Sequence, residues 1–125
     1  MERMTISRRI KALLGTAAVA AMVSPAIAQA QYFRSPSGNI RCVFASELPG
    51  VACQALNSAR EVQLDRYGVA TTSEGDGSPM RVGRVLPYGW TMTGYGVRCA
   101  SLQTGMRCTA AGHGFLLARS GVRMF

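Results

Sequence analysis

The chain has 125 residues, 48% of them hydrophobic, and a net charge of +8. This length allows one small domain and no more. Four cysteines without a C-x-x-C pair, together with a single histidine, His113, leave no usual zinc-binding set.

The N-terminal stretch "MERMTISRRIK" sets Arg3, Arg8, Arg9 and Lys11 against Glu2. An apolar run, "ALLGTAAVAAMV", follows, and then Pro25 and the small-residue frames "AIA" and "AQA". That order predicts a secretory signal peptide over residues 1–28, with cleavage after residue 28 or 30. A membrane-spanning helix needs about 20 apolar residues, more than this run offers. No cysteine lies near the cleavage frames, so no lipoprotein anchor is expected. Lys11 stands where a twin-arginine signal wants an apolar residue, which favours the general secretory route.

The remainder, 31–125, is expected to form one domain. A chain this small buries roughly 60% of its unfolded surface, so its core alone is marginal. Four cysteines in an exported chain of this size therefore read as two disulfides. This segment carries ten arginines, no lysine and five acids. Such a balance suits an anionic partner, although a plain solvated surface that keeps the protein soluble is the simpler reading.

Short apolar stretches then alternate with turn signals. Candidate strands are 39–45, 50–56, 61–65, 80–86, 90–94, 96–102, 105–110 and 113–119, separated by turns such as "ELPG", "LPYG" and "QTG". Strands of this length and spacing predict an all-β fold: a compact antiparallel sheet, sandwich or barrel. The stretch "LNSAREVQLDRYG" is the one place where a helical turn competes, and "TTSEGDGSP" (71–79) reads as a mobile loop whose acids Glu74 and Asp76 are solvated.

Alternation within a strand puts Ile40, Cys42 and Phe44 on one face and Arg41 on the other. Val97 and Cys99 likewise oppose Arg98, and Met106 and Cys108 oppose Arg107; Val51 and Cys53 repeat the spacing. Two hairpins turned by "ELPG" and "LQTG" would bring Cys42 to Cys53 and Cys99 to Cys108. Two crossed pairings stay open at this level, because sequence does not determine connectivity. The same hairpin would bring Arg98 close to Arg107, where like charges repel and an anion would relieve them. Arg41, Arg98 and Arg107 are thus the candidate anion-binding residues, with a solvated strand face as the plainer account.

The segments "FRSPSGNIRC" (33–42), "LPYG" (86–89), "GVRC" (96–99), "GMRC" (105–108), "GHGF" (112–115) and the terminal Phe125 resemble a family of small secreted bacterial proteins known as a domain of unknown function. The likeness runs over residues 33–125. It implies export, disulfides and a compact β-rich domain, and no established activity. Relatives that it resembles often carry a further cysteine pair in the middle segment, whereas residues 54–98 contain none.

Catalysis finds little support. His113 is the one imidazole, flanked by glycines, and no G-x-S-x-G elbow occurs. Tyr88, Trp90 and Tyr95 cluster in "PYGWTMTGYG" and are expected to fill the core of so small a sheet. The expected function is a non-catalytic, envelope-associated binding or accessory module with an arginine-lined face, periplasmic or secreted. The alternative is an inhibitor or effector that binds another secreted protein through residues 87–96. A small hydrolase built around His113 is weaker still. No cofactor, metal or nucleic acid is expected; the partner would be an anionic envelope polymer or a secreted protein, and the chain is expected to be a monomer without a membrane span after cleavage.

Overall fold

The computed structural model describes residues 30–75 and 78–125. The expected signal peptide lies outside the described residues, apart from the last residue of its "AQA" frame, and so does Asp76. The described chain folds into strands β1 (Gln31–Arg34), β2 (Ile40–Ala45), β3 (Gly50–Ala55), β4 (Arg60–Asp65), β5 (Ala70–Glu74), β6 (Arg84–Val85), β7 (Thr91–Gly94), β8 (Val97–Leu102), β9 (Gly105–Ala110), β10 (His113–Ala118) and β11 (Gly121–Met124). They form two sheets, one in the order β5-β4-β3-β2-β1-β6 and the other β11-β10-β9-β8-β7. All neighbours are antiparallel except β6, which runs parallel to β1. The fold is all-β, and among the described residues there is no helix.

The sheets share one core. Phe33, Phe44, Val51, Val62 and Leu64 of the first sheet join Val97, Met106, Phe115 and Leu117 of the second. Strict alternation in β8 and β9 buries Val97, Cys99, Ser101, Met106 and Cys108 and leaves Arg98 and Arg107 outside. Burying one face of each sheet against the other is what removes these apolar side chains from water.

Each sheet carries one disulfide. Cys42 on β2 stands opposite Cys53 on β3, and Cys99 on β8 opposite Cys108 on β9. Both pairs are disulfide-bonded with Cα atoms 4.0 Å apart, and all four cysteines are fully buried. That close approach belongs to non-hydrogen-bonded cross-strand pairs, which bring side chains on one face together. The local pairing is the observed one, and the crossed alternatives are not.

Turn chemistry sets the second sheet's register. Tyr95-Gly96 and Ala111-Gly112 are two-residue loops with positive φ at both positions, the type I′ geometry that matches strand twist. Three strands were not legible in the sequence: β1, β5 and β11. The residues around β4 form a strand flanked by turns rather than a helical turn, and residues 71–74 pair with β4 instead of forming a loop. The expected strand 80–86 reduces to β6, because the segment before it crosses the outer face of the first sheet.

Candidate anion-binding face

The described part of the crossing segment, Gly75 and residues 78–83, is a strap. It leaves β5 with Gly75 N–H donating to the Ala59 carbonyl (3.0 Å) and reaches β6 on the far edge, beside β1. Gln54 on β3 pins it from below: its Nε2 donates to the Ser78 carbonyl (2.9 Å), and its Oε1 accepts from Met80 N–H (2.7 Å). One side-chain amide thus imitates a strand backbone, and Gln54 is buried to 2% exposure although it lies on the outer face. Burying an amide costs little once its donor and acceptor are both satisfied.

Arg41 lies under the same strap. Its guanidinium Nη1 donates to the Met80 carbonyl (2.9 Å), while its buried Nε has no hydrogen-bond partner. Directly opposite Arg41 in the register stands Arg34 of β1, also half-buried and also with a buried, unpartnered Nε. Arg81 of the strap lies nearby, its guanidinium 5.2 Å from the centre of the Tyr32 ring. Among the described residues, no arginine lies within ion-pair distance of a carboxylate. Arg34 was missed as a candidate because β1 was not legible. Outward alternation from Phe33, with a hairpin through "SPSGN", is the signal that would have found it.

Arg98 and Arg107 are exposed on the outer face of the other sheet, so the structure does not gather the three candidate arginines into one site. Arg98 faces Thr109 and Arg107 faces Ala100. The cysteine pairing itself imposes this offset, leaving the two arginines diagonal rather than opposite. The Arg107 guanidinium sits 4.5 Å from the centre of the Phe125 ring, and Phe125 is tied to Gly114 by two backbone hydrogen bonds of 3.0 Å.

His113 opens β10 as an exposed residue, without a hydrogen-bonded side-chain partner among the described residues. Of the clustered aromatics, Tyr95 packs against the core, but Tyr88 is 43% and Trp90 63% exposed. The expectation that they fill the core fails because Phe33, Phe44 and Phe115 already occupy it. Gly94 even lies against the Phe44 ring, where a side chain would clash. A cleft of about 370 Å³ opens at one end of the sheets, lined by residues including Ser35, Ser37, Asn39, Tyr88, Gln103 and Arg119. No group of three metal-ligating side chains converges among the described residues.

No curated protein and no solved structure matches the chain. A family model does match, over residues 52–125, from within β3 to the C-terminus. That stretch takes in the strap, the whole second sheet and three of the four cysteines, so the chain belongs to the Family of unknown function (DUF6636).

Proposed function

We propose that the protein is an exported, non-catalytic binding module of the cell envelope that engages anionic material through its arginines. The observation that carries this reading is the unpaired state of those cations: among the described residues none has a carboxylate partner, and they occupy the outer faces of both sheets. Unneutralised charge of one sign draws polyanions and makes their capture sensitive to salt. Buried disulfides fit an oxidising compartment, as the N-terminal signal pattern does.

The test is retention of the oxidised protein on immobilised lipopolysaccharide or phosphorylated wall polymer across a salt gradient. Retention at low salt and release at high salt is expected, with loss of retention in the R41E/R98E/R107E variant. Because Arg41 lies apart from the other two, R41E and R98E/R107E are run separately to show which face carries the polymer. Flow-through of the unmodified protein at low salt overturns the reading.

One observation favours a second reading, binding to another secreted protein: Trp90 and Tyr88 stand exposed on the segment between the sheets. Exposed aromatics of this kind anchor protein interfaces. A salt-resistant partner that is lost in Trp90→Ala and kept in the arginine variants would replace the first reading with the second.

A further inference from the structure

The outer face of the first sheet carries a row of polar side chains in register: Arg34 on β1, Arg41 on β2, Gln54 on β3, Glu61 on β4 and Ser73 on β5. Gln54 is fully occupied by the strap. Arg34 and Arg41 are not. They are nearest cross-strand neighbours, an arrangement that opposes like charges. Both are half-buried, and each has a buried Nε without a partner. The hydrogen bond from Arg41 to the Met80 carbonyl supplies no negative charge. Glu61, the carboxylate on this row, lies beyond Gln54 and makes no ion pair with either arginine. By contrast, Arg98 and Arg107 are exposed and diagonal, where water screens them.

We infer that Arg34 and Arg41 form a site for a tetrahedral oxyanion, a phosphate or sulfate group. Neighbouring strands lie roughly 4.8 Å apart, so the two arginines leave the sheet side by side, within the span one anion needs to receive from both. Each guanidinium offers a planar fork of donors, and a group with three or four oxygens can receive from two forks at once, whereas a carboxylate has only two oxygens. Partial burial lowers the local dielectric, which strengthens attraction to the anion and raises the cost of leaving the two cations together without one. The site rests on the reading of the protein as an anion binder, and concentrates recognition on one pair of residues.

The experiment titrates inorganic phosphate, inorganic sulfate and a glycerol-phosphate oligomer separately into the oxidised protein, followed by calorimetry and by the arginine Nε–H resonances. Saturable binding is expected, with shifts at Arg34 and Arg41. It should weaken by on the order of tenfold or more in R34Q/R41Q, as loss of charge-assisted hydrogen bonds implies. R123Q, at an exposed arginine of β11, should bind as the unmodified protein does. Arg41→Lys keeps the charge without the fork and should bind more weakly; it carries the test if the double variant fails to fold. Tighter binding of the oligomer assigns an esterified phosphate, and tighter binding of the inorganic ions assigns the free anion. Absence of saturable binding of all three probes, or equal binding by R34Q/R41Q or, where that variant does not fold, by R41K, overturns the site. Salt-sensitive retention on the polymer matrix alongside that result would leave the broader reading standing, and loss of retention as well would remove both.

Discussion

The two sheets follow one plan. Each contains a five-stranded antiparallel meander with its disulfide between the second and third strands. Ile40-Arg41-Cys42 corresponds to Val97-Arg98-Cys99, and Gly50-Val51-Ala52-Cys53-Gln54-Ala55 to Gly105-Met106-Arg107-Cys108-Thr109-Ala110. Val51 faces Leu64 as Met106 faces Leu117. The differences lie outside this frame. Two-residue loops join the strands of the second sheet, whereas the corresponding loops of the first have four or five residues. Among the described residues, the first sheet alone is crossed by a strap. An arginine beside the first cysteine is therefore half-buried next to a second arginine in one sheet, and exposed opposite a threonine in the other. Shared residues hold the fold, and what covers them separates a half-buried arginine pair from a solvated face.

Removing the staples tests the comparison most strongly. The chain-entropy model gives each disulfide, with sequence separations of 11 and 9, slightly under ~3 kcal/mol. Cys42→Ala/Cys53→Ala and Cys99→Ala/Cys108→Ala should accordingly lose similar stability in denaturant unfolding. A large inequality would mean that the two meanders do not contribute alike.

The corresponding glycines come next. A Cβ at Gly50 would run into the Leu64 carbonyl, and one at Gly105 into the Leu117 carbonyl. Alanine at either position should cost roughly 1–3 kcal/mol, as overpacking does. Gly105→Ala should cost more, because its φ of +145° adds backbone strain. Thermal unfolding of the two variants side by side reads that order, and the reverse order would break the correspondence.

The strap separates the sheets at one position. Gln54→Leu removes both part-buried hydrogen bonds to Ser78 and Met80 and should cost about 1–3 kcal/mol, the net worth of two such bonds. Limited proteolysis should then cut between residues 78 and 83. Thr109→Val, at the matching place without a strap, should change stability by less than about 0.5 kcal/mol. Equal effects would show that the strap adds nothing to the first sheet.

A smaller loss than that of Gln54→Leu belongs to the second sheet's outer face. Arg107→Ala removes the contact with the Phe125 ring and should cost about 0.5–1 kcal/mol, the range for exposed cation–π pairs. Amide exchange at Phe125 and Gly114 should quicken with it; unchanged exchange would show that the backbone pairing alone holds the C-terminus.

Much of the fold was legible because its signals are local. Apolar-x-Cys alternation assigned an inward face to each cysteine, and short turns then brought Cys42 to Cys53 and Cys99 to Cys108. The strands β1, β5 and β11 escaped because they lie toward or at sheet edges, where burial is weak; β5 is exposed over four of its five residues. With β1 unread, Arg34 could not be placed beside Arg41. Tyr88 and Trp90 misled for the opposite reason: their apolar character suggested burial, but three phenylalanines had already filled the available volume.

By itself, the sequence determined the β architecture, the outward arginines and a hairpin spacing that favours local disulfides, since strand alternation and hairpin turns act over a few residues; the pairing itself was decided by the folded structure. Only the tertiary structure decided which arginines meet and which are covered. Packing the sheets on a common core sends Arg41 and the Arg98/Arg107 pair to different outer faces. The strap reaches Arg41 across 39 residues and Gln54 across 24 and 26, separations over which no local pattern carries information.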